Sequence, residues 1–259
     1  MSLVRNVFSS SLGKKYLMAL TGLVLIGFVT VHLVGNLQIF LPPDKINGYS
    51  QFLQSLGPLL WAVRLGLLVC VGIHIWAAAQ LTLEDLRARP TAYDFQHTIQ
   101  ATLASRTMRW TGFVVFAFVL YHLAHFTLGR VQPDQFKTHF DYVMTQDFHV
   151  FGFPVVAAGT KVHDVHRMMV MGFANAFVSS FYIIAVGLLS FHLWHGFESA
   201  FQSLGLRTNR WGVFLRGVTG AYAILYFLGN LAIPGAVLLG VVKLHGDVPA
   251  AVHGPARIP

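Results

Sequence analysis

The sequence predicts an all-α integral membrane protein, a bundle of five transmembrane helices, and three observations predict it. Five apolar runs of 19 to 30 residues contain no Asp, Glu, Lys or Arg. Only 11% of the 259 residues are charged, whereas a soluble domain carries about 25%. Mean hydropathy is +0.60. This composition argues against a water-soluble globular protein and excludes acidic disorder, collagen and disulfide scaffolds. The one cysteine, Cys70, lies inside an apolar run, so no intramolecular disulfide is expected. The formal charge of +8 is read as cytoplasmic loops and contacts to anionic lipid headgroups. No nucleic-acid-binding motif accompanies it, so the expected surroundings are membrane lipid and no nucleic acid.

The runs are Tyr16 to Phe40, Leu65 to Leu83, Trp110 to Gly129, Met168 to Phe197 and Gly217 to Val242. With flanking residues they predict helices over about 16–40, 59–83, 108–130, 168–204 and 211–243. At about 1.5 Å per residue each can cross a hydrocarbon core about 30 Å thick. The fourth has length to spare for tilt or projection. Pro234 is expected to kink the fifth helix, not end it. Phe148 to Gly159 is apolar but short, broken by Gly152 and Pro154, and reads as an interfacial or packed loop. The first run exceeds the core of a cleavable signal peptide, so it is expected to remain as a span. No repeat, low-complexity tract or second domain is evident, and residues 1–259 read as one domain.

Basic residues set the expected orientation. With the N-terminus inside, ten lie on the cytoplasmic side, among them Arg5, Lys14, Lys15, Arg87, Arg89 and Arg207, against eight outside, among them Lys137, Arg167 and Arg257. The inside set clusters at helix ends, whereas the outside set spreads through a 38-residue loop. The expectation is a cytoplasmic N-terminus and an outer C-terminus.

The chemistry lies in the histidines. Of 13, six sit inside spans: His32, His74, His122, His125, His192 and His195. A buried imidazole without a partner is costly in lipid. One such residue is ordinarily satisfied by a neighbouring carbonyl; at least one on each of four consecutive spans asks for more. His32 falls about 24 Å and His122 about 18 Å from the inner edge, in the outer half. His74 falls about 14 Å and His192 about 18 Å from that edge along returning helices, toward the inner half. Two stacked haems, each held by imidazoles from alternate helices, satisfy one outer and one inner pair. Spacing leaves the ligand open within His122/His125 and within His192/His195, each at i, i+3. Glycines such as Gly22, Gly27, Gly35, Gly72 and Gly112 would allow close approach of a porphyrin, though helix packing alone accounts for most of them. No span is expected to hold an Asp or Glu, so zinc or di-iron chemistry lacks carboxylates. His163 and His166 read as interfacial hydrogen-bonding residues.

Several fragments in order resemble the cytochrome b membrane-anchor subunit of succinate dehydrogenase and fumarate reductase, in its single-chain, five-helix, di-haem form. They are Leu20-Thr21-Gly22-Leu23 with His32-Leu33-Val34-Gly35-Asn36-Leu37, Ile46-Asn47-Gly48-Tyr49, Trp110-Thr111-Gly112 leading to His122, and His192-Leu193-Trp194-His195-Gly196 followed by Ser199 to Gly205. The resemblance implies axial haem ligands at His32, His74, His122 and His192, and two haem b groups. It implies a quinone acceptor, menaquinone in preference to ubiquinone. Gln38, Tyr49, Gln54, Arg64 and His125 are polar and lie toward the outer side, which makes them the candidates for its site. It implies a flavoprotein partner with FAD and an iron–sulfur partner, on the inner face of a prokaryotic cytoplasmic membrane. Where some relatives carry a carboxylate two residues before the fourth-helix ligand, this chain has Ser190. Bis-histidine ligation leaves the iron no open position, which suits electron transfer. The competing readings are a di-haem anchor of the formate dehydrogenase or hydrogenase type, a cytochrome of the b561 kind, and a transporter with a histidine proton relay.

Overall fold

The computed structural model describes residues 3–88 and 102–244; Arg89 and Arg257 of the orientation argument lie outside the described residues. Five helices are long and apolar enough to cross a membrane: Ser11–Phe40, Pro58–Arg87, Leu103–Thr127, Ala176–Ser203 and Asn209–Leu238. The protein is therefore mostly helical and multi-pass.

Local chemistry sets the element boundaries. Helix α1 (Leu3–Ser9) turns into α2 (Ser11–Asn36) at Ser10, whose hydroxyl accepts the Gly13 N–H at 3.1 Å, an N-cap that satisfies one unpaired helix donor. A single 3₁₀ turn, Leu37–Phe40, closes α2, and Pro42–Pro43 open α3 (Pro43–Ser55). Gly57, at φ +52°, makes the turn into α4 (Pro58–Arg87), with Pro58 at its first position. Helix α5 (Leu103–His122), capped by Thr102, passes directly into a π-helical turn, Leu123–Thr127. Two antiparallel strand pairs follow: β1 (Asp141–Val143) pairs with β4 (Lys161–His163), and between them in the chain β2 (Phe148–Val150) and β3 (Phe153–Val156) form a hairpin. Helices α6 (Val165–Ala174), α7 (Ala176–Ser203) and α8 (Asn209–Leu238) complete the described chain. Pro234 lies inside α8 without ending it.

Four features differ from the sequence expectation. The apolar stretch 168–204 is two helices. Asn175 leaves the helical region at ψ 114°, and its side-chain Oδ1 accepts the Phe177 and Val178 N–H groups at 2.9 and 3.2 Å. An uncharged residue thus breaks the chain where charge counting sees none. The segment 148–159 contains the β2–β3 hairpin. The connection after the first span holds the 13-residue α3. Finally, the helices outrun the charge-free runs, so the spans do carry carboxylates near their ends: Glu84 and Asp85 on α4, Glu198 on α7. Each is paired. Glu84 meets Lys14 and accepts from the Ser11 hydroxyl, Asp85 meets Arg109, and Glu198 meets Arg207 and Arg216.

Helix α2 packs against α4, α7 and α8, and α7 packs against α5 and α8. The main core joins Ile26 and Leu33 of α2, Phe118 of α5, Phe173 of α6, Tyr182 and Leu193 of α7, and Tyr226 and Ile233 of α8. Ala77 is the only buried residue of α4. One end of the bundle is covered by α3, the strand pairs and α6, and is termed the capped end; the other is the open end. Asn47, fully buried, organises the cap. Its side-chain Oδ1 accepts the first two N–H groups of α6, from Val165 and His166, at 2.8 and 3.0 Å, and its side-chain Nδ2 donates to Asp164 at 3.1 Å. Asp164 in turn accepts the Arg167 N–H at 2.9 Å. Three otherwise unpaired helix donors are satisfied. Asp44 accepts from both the N–H and the hydroxyl of Thr145, each at 2.6 Å. Burial opposes its ionisation, but these bonds outweigh burial and hold the carboxyl below its ordinary value.

Candidate metal centre

The six histidines of the spans fall into three groups. His32 on α2 and His122 at the end of α5 face each other near the capped end, ring centroids 5.7 Å apart and planes at 85°. His74 on α4 and His192 on α7 face each other nearer the open end, 6.4 Å apart and at 64°. His125 and His195 belong to neither pair. The helices that exchange histidines, α2 with α5 and α4 with α7, are not those that pack closely on one another. The bundle therefore holds its histidine-bearing backbones apart and lets the rings meet between them.

The π-helical turn sorts His122 from His125. It begins immediately after His122, and such turns recur at functional sites. His125 is directed away from His32: its Nδ1 lies 3.0 Å from the Tyr182 hydroxyl and its Nε2 2.6 Å from Gln132 Oε1. Its ring stacks on Phe126 at 3.9 Å. Both ring nitrogens are thus engaged. His122 is packed among Phe118, Phe126 and Tyr182, and its buried Nδ1 has no hydrogen-bond partner among the described residues.

The pair nearer the open end is held differently. Nδ1 of His74 lies 3.3 Å from Thr21 Oγ1, and Nδ1 of His192 lies 3.4 Å from Thr111 Oγ1. A Cβ on Gly22 would sit 3.3 Å from His74 Cε1, and one on Gly112 equally 3.3 Å from His192 Cε1. Gly22 and Gly112 thus serve the histidines, whereas Gly35 makes room for the Tyr49 ring and Gly27 and Gly72 meet nothing within 4 Å.

These correspondences expose a duplication that the sequence reading missed. Met18, Thr21, Gly22, Phe28 and His32 on α2 are matched by Met108, Thr111, Gly112, Phe118 and His122 on α5, each 90 positions later. In both helices the phenylalanine ring lies against the histidine four residues on, at 5.5 and 6.0 Å. The signal was present as two Thr-Gly pairs, each with its threonine 11 residues before a span histidine. Eleven residues are about three helical turns and about 16 Å, so the threonine and the histidine share one helix face at two levels.

The donor set tests what can be bound. Among the described residues no three or more His, Cys, Asp or Glu converge as ligands for a bare ion, as a protein-only tetrahedral site requires. The two facing imidazoles of each pair, with centroids 5.7 and 6.4 Å apart, would instead hold a metal whose remaining positions a haem would supply. The residues fit a bis-histidine haem at each level.

The remaining quinone candidates do not assemble into one network. Gln38 lies in the 3₁₀ turn, Tyr49 packs on Gly35, Gln54 donates to Ser50 at 3.2 Å, and Arg64 lies over the Trp61 ring at 5.1 Å. No hydrogen bond joins any two of the five candidates among the described residues. Compared with models of known families, with curated proteins and with solved structures, the chain matches none.

Proposed function

We propose that the protein is the membrane-anchor di-haem cytochrome b subunit of a succinate:quinone oxidoreductase. The observation that carries the reading is the pair of facing histidine couples at two levels of one five-span bundle. The ordered fragments that resemble the succinate dehydrogenase and fumarate reductase anchors supply the choice of enzyme. When bound, two haems b supply one-electron carriers at two depths of the bilayer. The chain's own part is to hold and orient them. His74 and His192 ligate at one level, His32 and His122 at the other. Phe28 lies against His32, and Phe118, Phe126 and Tyr182 pack on His122.

In this reading the open end, with the N-terminus, faces the cytoplasm of a prokaryotic cell. There it docks an iron–sulfur subunit and, through it, an FAD-bearing flavoprotein that oxidises succinate. The quinone, menaquinone in preference to ubiquinone, reacts toward the capped end near Gln38, Tyr49, Gln54 or Arg64. His125 serves as a packing and hydrogen-bonding residue there, since Tyr182 and Gln132 occupy its nitrogens. The test is to purify the chain from its native membrane without dissociating partners. Copurification of a flavin-containing subunit, and reduction of the haem bands by succinate, are expected. Haem bands that formate or hydrogen reduces and succinate does not would overturn the assignment.

A further inference from the structure

We infer that Thr21 and Thr111 are positioning residues that preset the tautomer of His74 and His192, so that both present an unprotonated Nε2 to the metal between them. The inference deepens the haem reading and rests on it. Hydroxyl accounting carries it. A threonine hydroxyl has one proton to donate and lone pairs to accept with. Thr21 Oγ1 lies 2.6 Å from the Leu17 carbonyl and 3.2 Å from that of Met18. Thr111 Oγ1 lies 3.1 Å from the carbonyls of both Thr107 and Met108. A carbonyl can only accept, so each hydroxyl spends its proton on the helix backbone. Toward the imidazole it then acts as an acceptor, and the proton of the neutral ring must sit on Nδ1. The lone pair is left on Nε2. A ligand imidazole oriented through its other N–H has a fixed ring direction and a raised basicity.

The arrangement is built twice. Each threonine is buried, each precedes the glycine that lets the imidazole approach, and each lies on a helix that does not carry the histidine it holds. No equivalent holds the other couple, where the buried Nδ1 of His122 lacks a partner among the described residues. The two levels of the bundle therefore differ in the basicity of their ligands. A more basic couple favours the oxidised metal, so it lowers the reduction potential of the group held by His74 and His192.

The test is potentiometric titration of the purified complex carrying Thr21→Val, Thr111→Val or Thr21→Ser, with haem counted per chain in each. Valine keeps the shape and removes the acceptor; serine restores it. One haem component should rise in potential in both valine variants, the other should stay in place, and serine should return the first toward wild type. A tenfold loss of preference for the oxidised state would raise the midpoint by about 59 mV. Unchanged potentials in both valine variants with two haems retained would overturn the inference and leave the haem reading standing. Equal shifts of both components, or a serine variant that behaves as valine, would also overturn it. A wild-type chain without haem would overturn both.

Discussion

Replacing Asn47 by Ala should destabilise the protein far more than an ordinary polar truncation. The side chain is fully buried and makes three hydrogen bonds, two of them to the first N–H groups of α6. Alanine leaves those two donors without a partner, in a space closed by Gly48 packed on Phe148 and by Tyr49 packed on Gly35. Each unsatisfied buried donor costs about 1–3 kcal/mol. Two donors sum to about 2–6 kcal/mol, and local relaxation recovers part of it, leaving roughly 2–4 kcal/mol. For a chain of this size 1 kcal/mol moves the midpoint by about 2–4 °C, so the apparent Tm should fall by roughly 4–16 °C. The assay is thermal unfolding of the detergent-solubilised protein by circular dichroism. Asn47→Asp separates the contacts: it keeps an acceptor for both N–H groups but sets a second carboxylate against Asp164, so it should also lose stability and recover part of it on acidification. Gln54→Ala, on an exposed side chain bonded only to Ser50, should leave Tm within about 2 °C, as surface substitutions do. An Asn47→Ala midpoint within 2 °C of wild type would refute the account of how the cap is held.

His74→Ala and His192→Ala should remove one and the same haem component, and His32→Ala and His122→Ala the other; a titration in which His32→Ala and His74→Ala lose the same component would break the pairing. Gly22→Val and Gly112→Val should act like the first set, because the added atoms enter space 3.3 Å from the His74 and His192 rings, and haem counting reads the result. Asp44 has a carboxyl held below 3.8 in the folded chain, so its contribution is present above that pH and is lost as pH falls through the lowered folded value. Hydrogen exchange at Thr145 should accelerate below pH 3.8, and Asp44→Asn should abolish that pH dependence.

Charge-free length made the five spans legible, because lipid admits few unpaired charges. It could not show that Asn175 divides the fourth run, since a neutral amide interrupts a helix by competing for its N–H groups. Nor could it show the paired carboxylates at the helix ends, where Lys14 or the arginines offset their cost. Rise per residue separated His32 from His74 but set His122 and His192 at the same depth of about 18 Å; the ring contacts place His122 with His32 and His192 with His74. Which of His122 and His125 faces His32 was not legible, because three residues on a regular helix keep both on one face; in the structure His122 faces it, and Tyr182 and Gln132 engage His125. Ile46-Asn47-Gly48-Tyr49 was visible as a motif, but its work is to cap α6 and seat the hairpin, contacts more than 100 residues away in the chain. The Thr-Gly duplication was present in the letters and acquired meaning only when each threonine lay beside a histidine of another helix.

The central claim is that this chain holds two haems b, each between two histidines. The most direct measurement is the pyridine haemochrome of the purified protein, divided by its polypeptide concentration. The account predicts two haems b per chain, falling to one in His74→Ala or His32→Ala and to none in the double variant. A wild-type value of one or zero, or two haems retained in the double variant, would contradict it.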